Sequence, residues 1–70
     1  MKSYYRLTSQ QHNGIVVRVN KDRTENYYDT AEMQWKPVAI MINYFWPDSD
    51  TFEMYEELTA KDLEKLNIPK

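Results

Sequence analysis

The first third of the chain contains two strand-like segments that combine apolar and polar residues. Residues 4–8 and 15–19 are rich in aromatic and β-branched side chains, which favour strands. Between them lies His12-Asn13-Gly14, a turn signal in which glycine supplies a positive φ angle. The pattern therefore predicts an N-terminal β-hairpin.

The loop length of this hairpin decides which side chains share a face. A two-residue loop at Asn13-Gly14 pairs His12 with Ile15 and divides the apolar residues between the two faces. A three-residue loop over 12–14 pairs Leu7 with Val19 and collects the apolar residues on one face. We therefore prefer the three-residue loop. The expected buried face consists of Tyr5, Leu7, Ile15, Val17 and Val19.

Two more strands are expected further along the chain. Residues 25–29 predict a third strand, joined to the hairpin by a short polar connection, so that three consecutive strands form an antiparallel meander. Residues 30–34 indicate a turn that ends at Trp35. Residues 52–57 predict a short strand after a polar turn.

The segment 38–46, between Pro37 and Pro47, has two interpretations. Four of its apolar residues recur at helical spacing, and Pro37 suits the first position of a helix. Its β-branched residues also alternate, which is typical of a strand. We favour a short helix. The residues at helical spacing are Val38, Met41, Ile42 and Phe45, and the alternating ones are Val38, Ile40 and Ile42.

A second helix is predicted at the C-terminal end. Residues 59–62 resemble a capping box in which aspartate replaces the usual glutamate, and the helix begins at the first of them. Leu58 and Leu63 have the spacing of a hydrophobic staple. The helix is expected to end at about Leu66 or Asn67, because asparagine and the proline that follows terminate helices.

Together these elements predict one α+β domain spanning residues 1–70. Its sheet is a small antiparallel meander of three to four strands, accompanied by a short middle helix and a capped C-terminal helix. The expected core comprises Tyr5, Leu7, Ile15, Val17, Val19, Tyr28, Trp35, Ile42, Phe45, Leu58, Leu63 and Leu66.

The order of several short motifs resembles small hypothetical proteins of Gram-positive bacteria and their phages. These motifs are Tyr-Tyr-Arg-Leu at 4–7, Ile-Val-Val-Arg-Val-Asn at 15–20, Glu-Asn-Tyr-Tyr-Asp at 25–29 with Trp35 downstream, and Glu-Glu-Leu-Thr-Ala-Lys-Asp-Leu at 56–63. The resemblance implies a β-rich domain closed by a C-terminal helix, with an accessory or phage-related role. It brings no activity and no catalytic residues.

Few residues in the chain suit catalysis or metal binding. The absence of cysteine excludes disulfides and thiolate metal sites, and one histidine is too few for the usual zinc sites. His12 lies in a predicted turn without a nucleophilic partner. Residues 48–59 lack the glycine and the final glutamate of a calcium loop. We therefore expect no catalytic residue, no metal and no cofactor, and predict that the protein is not an enzyme.

Hydropathy suggests where the protein resides. Residues 1–10 lack the apolar core of a signal peptide. The longest apolar stretch, 38–46, has nine residues and is too short to span a bilayer. We expect a cytoplasmic protein that does not enter a membrane.

Charge and aromatic content point to two kinds of partner. Residues 1–36 contain six Lys or Arg and four acids, whereas residues 37–70 contain three lysines and seven acids. The outer face of the hairpin combines aromatic and basic side chains, as single-strand nucleic-acid binders do. That alternative would use Tyr4, Arg6, Arg18 and Arg23.

The favoured function is docking to a protein partner or to a second copy of the chain. The overall charge of −2 is unlike that of a dedicated duplex-DNA binder. Ten aromatic residues in 70 exceed what one small core hides, so some should be exposed as a contact surface. We expect Trp46, which precedes Pro47, to be partly exposed in that surface.

Overall fold

Five short strands form one antiparallel sheet. The computed structural model describes residues 2–69 of the chain. The strands are β1 (Ser3–Leu7), β2 (Val16–Val19), β3 (Glu25–Asp29), β4 (Gln34–Val38) and β5 (Tyr55–Leu58). Their order across the sheet is β4-β3-β2-β1-β5. The first four strands therefore form a meander, and β5 returns to pair with β1.

A short helix accompanies each face of the sheet. On the first face, Met41 and Tyr44 from α1 (Ile42–Phe45) and the turn before it form a core cluster with Leu7 and Val17. On the second face, residues following α2 (Ala60–Lys65) line a hollow beside Val16 and Tyr28. The broad α+β prediction is thus confirmed, but the sheet has more strands than expected and α1 is only one turn long.

The hairpin register differs from the prediction, although the faces are as expected. Val19 pairs with Ser3 rather than Leu7, while Tyr5 pairs with Val17. The shift is four residues, and an even shift keeps each side chain on its face. The expected loop was therefore too short, and residues 8–15 connect the two strands.

The longer loop is closed by a glycine bulge at its end. Gly14, at φ 87°, donates its N–H to the Leu7 carbonyl at 2.8 Å, and Leu7 N–H donates to the Ile15 carbonyl at 2.8 Å. Gly14 and Ile15 thus both lie opposite Leu7, as in a G1 bulge. Thr8 N–H donates instead to the Met54 carbonyl at 2.8 Å. The backbone after Leu7 is thus hydrogen-bonded to the segment that leads into β5, so it cannot extend the hairpin.

The structure of residues 38–46 explains why the sequence pattern of this segment had two interpretations. Val38 is the last residue of β4, a strand that the sequence did not predict, and α1 begins only at Ile42. Pro37 is tolerated in β4 because this edge strand pairs only with β3. The predicted helix over 38–46 is therefore mostly wrong, since one turn of it is observed.

The C-terminal elements follow the prediction closely. β5 overlaps the strand expected at 52–57, but it begins three residues later and ends one residue later. Thr59 Oγ1 accepts from Asp62 N–H at 3.3 Å, while Asp62 Oδ2 accepts from Thr59 N–H at 2.8 Å, which confirms the capping box. At the other end, Ile68 N–H donates to the Leu63 carbonyl at 3.0 Å and Asn67 N–H to the Glu64 carbonyl at 3.1 Å. This is a Schellman ending, with Asn67 at φ 58°.

The observed core overlaps the expected one in part. Leu7, Val17, Tyr28 and Leu63 are buried as predicted. Five other residues are half-buried: Tyr5, Ile15, Val19, Trp35 and Leu58.

Three predicted core residues, Ile42, Phe45 and Leu66, are exposed, so the prediction is wrong for them. The turn begins at Met41, and residues three apart share a helix face. Met41 and Tyr44 consequently point inward and displace Ile42 and Phe45 outward.

Replacing Leu63 with alanine should destabilise the domain by about 2–5 kcal/mol, since the side chain is fully buried and the change leaves a cavity. Urea unfolding measures this difference. Leu66→Ala is the matched control and should cost clearly less, because Leu66 is 41% exposed. Equal stability of Leu63→Ala and the wild type would contradict the placement of α2.

Candidate functional site

The outer side of α1 and the residue after it expose three large apolar side chains. Ile42 is 68% exposed, Trp46 59% and Phe45 42%. We call these three residues the α1 patch. The partial exposure predicted for Trp46 is confirmed. Ile42 and Trp46, four residues apart, line a shallow hollow together with Asn43 and Ser49.

Phe45 connects the patch to the sheet beneath it. Its ring lies 5.5 Å from that of Tyr5 and 5.4 Å from that of Tyr55, measured between centroids, and both contacts are edge-to-face. The two tyrosine rings are 5.2 Å apart in the same geometry. Edge-to-face pairs add stability beyond the area that they bury. Phe45 is therefore fixed at its base while part of its ring faces solvent.

The carboxylate of Glu25 fixes the start of α1. Its Oε1 accepts hydrogen bonds from Ile40 N–H and Met41 N–H, both at 3.0 Å. Both residues precede α1, and Met41 is its N-cap, whose N–H has no partner within the helix and whose side chain makes no capping hydrogen bond. Glu25, placed at the start of β3, thus supplies an acceptor from a neighbouring element.

The end of α1 is held by the loop that follows it. Thr51 Oγ1–H donates to the Asn43 carbonyl at 2.7 Å, and Glu53 N–H donates to the Tyr44 carbonyl at 2.9 Å. Ser49 N–H donates to the Trp46 carbonyl at 3.0 Å. These bonds satisfy carbonyls that a one-turn helix leaves free. The α1 patch is consequently presented on a hydrogen-bonded backbone.

A small polar network connects α1 to the loop between β1 and β2. The Tyr44 hydroxyl is 2.5 Å from Ser9 Oγ and 3.3 Å from His12 Nδ1. No sequence motif indicated this group, because Ser9 and Tyr44 are far apart in the chain. Ser9 is only 3% exposed, so its hydroxyl is closed to a substrate. The network secures the β1–β2 loop to α1, and His12 lies in the turn as expected.

The basic residues of the hairpin lie on the second face, as predicted, but they are engaged within the domain. Arg6 forms an ion pair with Glu56 of the neighbouring strand. The Arg18 guanidinium carbon is 4.5 Å from the centre of the Trp35 ring, and its Nη2 donates to Asn26 Oδ1 at 3.1 Å. Arg18 Nε is buried. The side chains therefore offer limited surface for phosphate groups.

The aromatic rings on this face are also partly covered. Tyr4 lies 6.2 Å from Trp35 between ring centroids, and the Trp35 indole N–H donates to the Pro69 carbonyl at 3.1 Å. Arg23, by contrast, is exposed in the turn between β2 and β3. The five residues expected at an interaction surface thus lie in three places. Tyr4, Arg6 and Arg18 share the second face, Arg23 is in a turn, and Trp46 is on the first face.

Two further observations concern metals and membranes. Within residues 2–69, no three His, Asp or Glu side chains are grouped so that they could hold a metal ion. In the same part of the chain, the helices are too short to cross a membrane.

Comparison of the chain with protein-family models, curated proteins and solved structures gives no match. The resemblance to small proteins of Gram-positive bacteria and their phages therefore stays a hypothesis. The function has to be inferred from the geometry of the domain.

Replacing Glu25 with alanine should destabilise the domain by about 1–3 kcal/mol, because two backbone N–H groups lose their acceptor. Glu25→Gln should cost less, since its side-chain oxygen can still accept. Urea unfolding measures all variants, with Glu57→Ala, an exposed position on the same face of the sheet, as control. A Glu25→Ala variant as stable as the control would show that Glu25 does not hold α1.

Proposed function

We propose that this domain is a non-enzymatic protein-binding module that docks a partner through the α1 patch. The observation that carries the proposal is the exposure of Ile42 and Trp46 on a turn whose backbone is secured at both ends. An apolar surface of this kind gains free energy when a partner removes it from water.

The chemistry of the patch suits recognition. Tryptophan is among the residues that most often dominate the binding energy of interfaces. Binding costs less when side chains and loops are already ordered. Phe45, clamped between Tyr5 and Tyr55, and the hydrogen-bonded loop after Trp46 reduce this ordering cost.

The polar groups near the patch support binding in preference to catalysis. A nucleophile needs a neighbouring base and access to substrate. The Ser9 hydroxyl has Tyr44 as its neighbour and is buried. One ring nitrogen of His12 contacts the same tyrosine hydroxyl, so this nitrogen is engaged in a structural contact.

The alternative is single-stranded nucleic-acid binding through the second face. It is favoured by one observation, the grouping of Tyr4, Arg18 and Trp35 within contact distance. Stacked bases and phosphates need free ring faces and free guanidinium groups. Arg6 is paired with Glu56, and Arg18 covers a face of Trp35, so we rank this function second.

Photo-crosslinking in the native cells separates the two functions. A benzophenone amino acid at Asn43, within the patch, should give a discrete protease-sensitive product, which disappears when Ile42→Asp is added. Met33, apolar and 73% exposed outside the patch, is the control position and should not give that product.

The same experiment at Arg23 tests the alternative. A nuclease-sensitive product at Arg23, with none at Asn43, would contradict protein docking and favour nucleic acid. Its yield should then fall steeply between about 50 and 200 mM salt, because phosphate contacts release counterions.

A further inference from the structure

We infer that the partner segment recognised by the α1 patch carries bulky apolar side chains flanked by lysine or arginine. The inference rests on the proposed docking function and adds the chemistry of the partner. It follows from the charges that border the patch.

The chain segment that carries the patch is acidic. Residues 37–60 contain no lysine or arginine and five acids. Glu56 is neutralised by its ion pair with Arg6. Asp48, Asp50 and Glu53 form no ion pair with any residue in the range 2–69.

These three acidic residues follow the patch directly in the chain, and contacts place Glu53 and Asp50 near α1. Glu53 is fixed by its backbone bond to the Tyr44 carbonyl of α1 at 2.9 Å. Asp50 lines a hollow whose wall includes Asn43 and Ser49, and the same two residues line the hollow below Ile42 and Trp46. The apolar surface therefore adjoins the acidic segment at Asp50.

A second copy of the chain fits this surface poorly. A symmetric dimer places the same patch of both chains face to face, so the acidic borders would oppose each other. Like charges across an interface disfavour binding, whereas opposite charges raise the association rate and select the partner. A basic segment with apolar anchors satisfies both parts of the surface.

Two synthetic probe peptides of fourteen residues test this inference. One alternates leucines with lysines in an amphipathic helical pattern, and the other has glutamate in place of every lysine. The Trp46 indole N–H signal in the NMR spectrum reports binding at the patch. The Trp35 indole, on the opposite face of the sheet, is the internal control.

We expect the lysine peptide to shift the Trp46 signal and leave the Trp35 signal in place. Its affinity should fall at least about tenfold in Trp46→Ala, measured by calorimetry, because the apolar anchor is lost. It should also fall about tenfold in the triple variant Asp48→Asn, Asp50→Asn, Glu53→Gln, which keeps the shape of the border. The glutamate peptide should bind neither form.

Other outcomes overturn the inference in distinguishable ways. If the glutamate peptide binds the patch as well as the lysine peptide, docking stands and the basic partner is wrong. If the lysine peptide binds Trp46→Ala as tightly as the wild type, the patch is not the docking site and the proposed function fails as well. If sedimentation shows a dimer that Trp46→Ala dissociates, the occupant is a second copy.

Discussion

The arrangement of the first face depends on the Glu25 carboxylate, which accepts two backbone N–H groups at the start of α1. A single helical turn is too short to be stable by itself. Its position must therefore come from contacts with the sheet, which Glu25, Met41 and Tyr44 provide. Once Met41 and Tyr44 point inward, the helical repeat directs Ile42 and Trp46 into solvent. The exposed surface is thus a consequence of how the turn is fixed.

The sheet has two faces to cover and only two very short helices to cover them. Small domains bury a limited fraction of their surface. Dividing the apolar residues between two faces lowers the buried fraction further at each face of the sheet. The chain compensates with large aromatic rings that contact one another edge-to-face, and Tyr5, Tyr55 and Phe45 do so while remaining partly exposed. At α1 this leaves more apolar surface than the sheet can bury, and that surplus supports the proposed docking role.

Local patterns were predictable from the sequence, and long-range contacts were not. The strand at 25–29 and the cap at Thr59 depend on neighbouring residues, so both were found. The hairpin register was missed because the loop is held by β5 and Tyr44, which lie far along the chain. The hydrogen bonds from the Ile40 and Met41 N–H groups to Glu25 have no local sequence signal either, and the orientation of α1 depends on them. The exposure of Trp46 was predicted, but that of Ile42 and Phe45 was not.

The claim that the patch is displayed on a fixed turn is tested most directly by amide hydrogen exchange at Ile40 and Met41. If Glu25 holds these N–H groups, they should exchange nearly as slowly as the amides paired within the sheet. Exchange as fast as that of the exposed loop residue Asp48 would contradict the account, because α1 would then open freely and the α1 patch would not be preformed.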